Sequence, residues 1–275
     1  MYFLFLAHIP LPLALKKLLL WGMLGIPGVW WVDLQLDGVK RGSLSQQPKS
    51  RVPHPRSIIA AQFTSPVDAL YLAAIFDPVF TISYPGTRKV QRISLLRAIT
   101  LALTPPALEP PPGVKLTTLL ALVEQNPHRA IAVFPEMSTT NGKGILPFSP
   151  SLLSAPADAK IFPVSMRYTP PDITTPVPGA YITFLWNLLS RPTHCIRVRI
   201  AEAVTNTPAA GISAIGVDGD EGGRGGDGHE DLTPEEKKVI DHVGEALARL
   251  ARNKRVGLTL RDKAAFIDAW NNGRK

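Results

Sequence analysis

A chain of 275 residues with 45% hydrophobic and 19% charged side chains is too apolar for general disorder and long enough for one large domain with appendages. Its one cysteine, Cys195, excludes an intrachain disulfide framework and a thiolate metal cluster. The formal charge of +8 calls for an anionic partner; no basic stripe interleaved with aromatics is present, so nucleic acid is not expected, whereas anionic lipid or a phosphate-bearing ligand is.

Met1–Leu15 is almost wholly apolar, Lys16 and Lys17 interrupt it, and Leu18–Val32 is apolar again with Trp21, Trp30 and Trp31. Each half is shorter than the roughly 20 residues a helix needs to cross a bilayer, and a single pass would bury two lysines. A hairpin dipping into one leaflet, or an interfacial helix with snorkelling lysines, is therefore expected. The alternative is a pair of helices covering an apolar face of the domain. With no basic n-region, a signal peptide is not expected.

Asp33–Asp37 alternates like a half-exposed strand, a polar connection follows to Pro55, and Ser57–Gln62 reads as a core strand. Thr64 or Ser65 caps the next helix, with Pro66 and Asp68 in its first turn. Val79–Ser83 reads as a strand closed by Pro85-Gly86, Arg88–Leu103 as a helix, and the proline-rich Thr104–Gly113 as a connection. A leucine-faced helix over Val114–Gln125 leads to a strand at 131–134. Lys160–Tyr168 and Cys195–Ala201 are strands, with a helix over Tyr181–Leu189 between them. Pro208–Gly228, rich in glycine and acid, reads as a mobile loop. Thr233 with Glu236, and Thr259 with Asp262, signal two capped helices.

The alternation across 57–202 points to an α/β sandwich with a mixed or parallel central sheet flanked by helices, plus an apolar N-terminal helical segment. The expected division is 1–35 membrane-associating, 36–205 the α/β domain, 206–231 the mobile loop and 232–275 a helical extension.

For chemistry, Ala130–Pro150 stands out: an apolar strand stops at Pro135, and Glu136, Ser138, Thr139, Thr140, Asn141 and Lys143 follow within eight residues. In open α/β sheets ligands gather at that end of a strand; an ordinary strand-to-loop junction is the alternative. Asp68 either orients a base or helps cap its helix. No two of the six histidines have the spacing of a helical metal pair and no HExxH occurs, so no metal is expected. A GxSxG nucleophile elbow is absent.

Three stretches carry a resemblance. Phe134-Pro135-Glu136-Met137-Ser138-Thr139-Thr140-Asn141-Gly142 resembles the block FPEGTTTNG of the phospholipid/glycerol acyltransferase superfamily, the PlsC-like lysophosphatidic acid and lysophospholipid acyltransferases. Gln62-Phe63-Thr64-Ser65-Pro66-Val67-Asp68 resembles its block NHTSxxD, and Phe162–Tyr168 its strand behind the acceptor site. The similarity covers roughly residues 55–205 and is nearest to a fungal membrane-associated branch.

The resemblance implies a glycerol-phosphate-acyltransferase-like fold and acyl transfer from acyl-CoA, as co-substrate, to a hydroxyl of a lysophospholipid. No bound cofactor and no metal are implied. Lysophospholipid, acyl-CoA and a membrane or lipid-droplet surface are the implied partners, with the endoplasmic reticulum or lipid droplet as location and the domain facing the cytosol. Asp68 corresponds to the aspartate that orients the general-base histidine, and Glu136, Ser138, Thr139, Thr140, Asn141 and Lys143 to substrate-binding positions. The chain departs from the pattern at Phe63, where the histidine is expected and a phenyl cannot be a base, and at Met137, where the family has glycine. An active enzyme, a weakened one and a non-catalytic lipid-binding relative all remain open.

Overall fold

The computed structural model describes residues 13–40, 43, 46–206 and 232–273; the glycine-rich stretch Pro208–Gly228 lies outside them. In chain order the elements are α1 (Leu13–Gly25), β1 (Val29–Leu36), β2 (Ile58–Ala61), α2 (Pro66–Phe76), β3 (Val79–Ser83), β4 (Val90–Ile93) and α3 (Leu95–Leu101). They continue with β5 (Leu116–Thr117), α4 (Leu119–Gln125), β6 (Ile131–Val133), β7 (Gly144–Ile145), β8 (Lys160–Thr169) and α5 (Tyr181–Leu189). The chain closes through β9 (His194–Ile200), β10 (Val204–Thr205), α6 (Pro234–Ala251), β11 (Lys254–Arg255) and α7 (Leu260–Asn272).

One mixed sheet runs in the order β1-β9-β8-β2-β6-β3-β4-β5, with β10 pairing onto β8. Its middle, β8-β2-β6-β3, is parallel, and antiparallel pairs flank it on both sides. Parallel strands are covered on both faces, which is why 58–61 and 130–134 are continuously apolar. The two-residue period then divides each strand. Ile59, Ala61, Ala132 and Phe134 face a core shared with α1, α2, α3 and α5, while Ile58, Ala60, Ile131 and Val133 face one shared with α4 and α6. This is the glycerol-phosphate-acyltransferase-like α/β sandwich expected from the resemblance.

Local capping signals are met. Ser65 caps α2 in a capping box with Asp68, Thr233 caps α6 with Glu236, and Thr259 caps α7 with Asp262. Three expectations are corrected. Arg88–Leu103 is not one helix: Val90–Ile93 turns back at Pro85-Gly86 to pair antiparallel with β3, and Ser94 starts the shorter helix α3. The segment from Val114 likewise holds a two-residue strand before α4, which Thr118 caps.

The third correction concerns the expected hairpin: Met1–Pro12 lie outside the described residues, and from Leu13 the chain is one helix rather than two halves divided at the lysines. A single helix α1 runs through Lys16 and Lys17, and Val29–Val32 joins the sheet edge beside β9. Leu20 and Leu24 sit in the core, and Lys16 pairs with Asp77 at 2.5 Å. Among the described residues no helix is long and apolar enough to cross a membrane.

Candidate functional site

The parallel register of β2 and β6, Ile58 opposite Ile131 through Ala60 opposite Val133, brings the carboxyl ends of the two strands level. The segment Gln62–Ser65 and the block Phe134–Gly142 therefore leave the sheet side by side. A hydrogen bond from the Thr140 amide to the Phe63 carbonyl, at 3.0 Å, ties them together. The segment after β8 forms a third wall. Thr175 donates its amide to the Thr64 carbonyl at 2.9 Å, and its own carbonyl accepts from Thr139 Oγ1 at 2.7 Å.

Asp68 is fully buried in the first turn of α2. Its Oδ2 accepts the amides of Thr64 at 2.7 Å and Ser65 at 2.9 Å and the Thr64 hydroxyl at 3.2 Å, while Oδ1 accepts the phenol of Tyr168. Burial pushes its pKa up to about 6, against the opposing pull of Tyr168 and the two amides, so it is mainly a carboxylate at neutral pH. Burial, and then the charge of Asp68, hold the Tyr168 phenol well above its ordinary value. The carboxylate thus has the capping role and, in place of an imidazole, a phenol.

Phe63 is fully buried as well, stacked on Phe134 with centroids 4.3 Å apart and planes 26° from parallel; Phe80 extends the stack from Phe134 at 6.5 Å. Among the described residues no histidine is seen beside Asp68 in place of the missing base. His54 precedes β2, at the opposite end of the strands, edge-on to Phe162, and the His194 ring bonds the Leu188 carbonyl.

Glu136 lies in the same cluster, also fully buried. Its Oε2 accepts the Leu146 amide at 3.1 Å, while Oε1 finds no hydrogen-bond partner among the described residues; nor does the buried Gln62 Nε2. Burial pushes the Glu136 pKa up to about 8. The amides of Leu146 and Phe63 and the charge of Lys263 oppose the rise, and the charge of Asp68 adds to it. The charge of Asp68 is the smallest of these influences on Glu136. With values of about 6 and about 8, Asp68 favours the carboxylate at neutral pH and Glu136 the neutral acid.

Met137 adopts φ +59, the left-handed conformation that glycine takes at no steric cost. Ser138 and Thr139 turn inward, where both meet Lys263 of α7. Its Nζ donates to Ser138 Oγ at 2.6 Å and to the Thr139 carbonyl, and burial pulls its pKa down to about 8. Thr140 is half-buried. Asn141 and Lys143 are exposed, the Asn141 side chain accepting the Lys143 amide at 3.0 Å within the turn. Of the six candidate binding residues, then, Glu136 feels the charge of Asp68, Ser138 and Thr139 meet Lys263, Thr140 holds the two loops together, and Asn141 and Lys143 face solvent.

Two participants escape sequence reading. Tyr168 shares the strand face of Phe162, Val164 and Met166, a period-2 clue to its direction but not to its partner. Lys263 carries no local signal at all. A pocket of about 300 Å³ opens beside the block, bordered by Leu108, Met137, Leu146, Phe148, Leu260 and Arg261. Phe63, Asp68 and Glu136 are not among the residues that line it. Among the described residues no group of histidine, cysteine, aspartate or glutamate is arranged to hold a metal ion.

No protein-family model matches the chain. Over 216 residues it is 26% identical to a putative lysophosphatidic acid:oleoyl-CoA acyltransferase of Schizosaccharomyces pombe. The aligned part is 78% of this chain but only 63% of that relative's length. The similarity is distant and points to the acyltransferase superfamily in general.

Proposed function

We propose that this chain is an acyl-CoA-dependent O-acyltransferase of lysophospholipid acceptors, weakened by the loss of its general base, working at an endoplasmic-reticulum or lipid-droplet surface with the domain on the cytosolic side. What supports this is the meeting of Asp68, Phe63 and the Phe134–Gly142 block at the level ends of β2 and β6, in a chain similar over 216 residues to a putative enzyme of that kind. In the transfer, the acceptor hydroxyl attacks the thioester carbonyl, its proton leaves and CoA departs as the thiol. A histidine base contributes typically ~10²–10⁴ in rate. Phe63 contributes none, so what remains is the gain from holding two substrates together. Ser138, Thr139 and the ammonium of Lys263 are the polar groups available to an acceptor phosphate, and the neutral Glu136 can donate from its carboxyl.

The test is CoA release from acyl-CoA with and without lysophosphatidic acid, for the natural chain and for Phe63→His. Slow, acceptor-dependent release that rises on restoring the imidazole supports the proposal. No release from either protein, beside an active histidine-containing relative in the same assay, removes it.

A second reading, a non-catalytic binder of acyl-CoA or lysophospholipid, is favoured by the Phe63–Phe134 stack and by Lys263 on the substrate-binding block. It requires calorimetric binding of acyl-CoA or lysolipid without product, and absence of binding eliminates it.

A further inference from the structure

Helix α5 is apolar on its outer face as well as its inner one, with Thr183 and Asn187 its two polar residues. Phe184 and Leu188 point into the core, yet Tyr181, Ile182, Leu185, Trp186 and Leu189 face outward, with Ile182 85% and Trp186 72% exposed. A second outward apolar group lies where α1 turns into β1: Ile26 is 84%, Trp30 65% and Trp31 68% exposed. The two groups adjoin. The Leu188 carbonyl bonds His194 at 2.9 Å, the His194 amide bonds the Gly28 carbonyl at 2.7 Å, and Val29 pairs with His194 in the β1–β9 ladder. Gly28 fits so closely against Pro192 that a Cβ there would stand 2.3 Å from the Pro192 carbonyl oxygen.

We infer that α5 and the α1–β1 corner form one two-part surface that docks flat on an anionic bilayer. Three of the five tryptophans, Trp30, Trp31 and Trp186, are more than half exposed within it, and an indole with an apolar body and one N–H favours the headgroup level. Charge adds to this through the net charge of +8: of the five basic residues in 13–32 and 173–201, Lys16, Arg191 and Arg197 pair with Asp77, Asp172 and Asp33, and Lys17 and Arg199 complete the basic set. The twelve residues before α1 carry no formal charge.

Docking here brings the candidate site to the lipid. Asn187 of α5 donates to the Asp172 carbonyl at 2.9 Å, Ser65 bonds the next carbonyl, of Ile173, at 2.8 Å, and Thr139 bonds that of Thr175. One short segment therefore has the membrane helix on one side and the Asp68–Glu136 cluster on the other. The inference rests on the membrane location proposed above and is independent of acyl transfer.

Vesicle flotation without substrate tests it, using the whole chain and vesicles of phosphatidylcholine with or without phosphatidic acid. The natural chain is expected to float with the acidic vesicles and shift its tryptophan emission to the blue. The pair Ile182→Ser/Trp186→Ser and the pair Trp30→Ser/Trp31→Ser are each expected to reduce partition about tenfold or more, with far-ultraviolet circular dichroism unchanged. If only the Trp30/Trp31 pair weakens flotation, the two-part surface is refuted and membrane binding stands. If the natural chain does not float, both fail. A dimer seen in sedimentation and abolished by the α5 pair assigns the face to a second copy and overturns the inference.

Discussion

Replacing Glu136 with glutamine tests the electrostatics of the site directly. The carboxyl is fully buried, one oxygen bonds the Leu146 amide, the other has no hydrogen-bond partner among the described residues, and burial raises its pKa from 4.5 to about 8. Between those values the folded state keeps a proton that the unfolded chain has already released. Because the folded pKa is the higher one, the associated stability is complete below pH 4.5 and is lost as pH rises through 8. At pH 7 the part already lost is about 3 kcal/mol. Glutamine has no proton to lose. Relative to the natural chain, Glu136→Gln should therefore become more stable by about 3 kcal/mol on going from pH 4.5 to 7.

Asp68, raised to about 6, adds a slope of the same sign to both proteins and cancels in the difference. Lys263 acts in the opposite sense but above pH 8. Urea unfolding at a series of pH values, followed by tryptophan fluorescence, reads the slope independently of any constant cost of the substitution. A flat difference refutes the reasoning. A difference that moves against the variant as pH rises means that Glu136 is ionised and paired with Lys263.

Further outcomes follow from particular contacts. Lys263→Met should cost about 1–3 kcal/mol in urea unfolding by removing a charged donor from Ser138 and Thr139, and should speed amide exchange in α7; unchanged exchange would mean that the helix is held by other contacts. Met137→Gly should be more stable than Met137→Ala by about 1 kcal/mol, because both delete the same packing while only glycine relaxes at φ +59. The reverse order would show no strain there. Gly28→Ala should destabilise by about 1–3 kcal/mol, since φ is +80 and Pro192 occupies the space of a Cβ. A neutral effect on thermal unfolding would show slack at the β1–β9 join.

What the sequence determined by itself is what neighbouring residues settle among themselves. Ser65 with Asp68, Thr233 with Glu236 and Thr259 with Asp262 announced their helices, because a cap is an exchange of hydrogen bonds over three residues. The continuous apolar runs of β2 and β6 announced a core sheet with parallel strands, and the Phe134–Gly142 block marked the end of β6 as the candidate site. Local pattern failed at 88–103, where Ile93, Leu96 and Ile99 have helical spacing but the antiparallel register of Phe80 with Ile93 claims the first part as a strand. At α1 it left a hairpin, an interfacial helix and a helix packed on the domain all open; packing against α2 supplies Asp77 for Lys16.

Tertiary structure alone decided the partners of the buried charges. Tyr168 reaches Asp68 from 100 positions away, and Lys263 reaches Ser138 from 125. The energy of a buried carboxyl or ammonium depends on what the fold leaves beside it once water is removed. That neighbour is set by which strands lie side by side, a quantity no short stretch of chain contains.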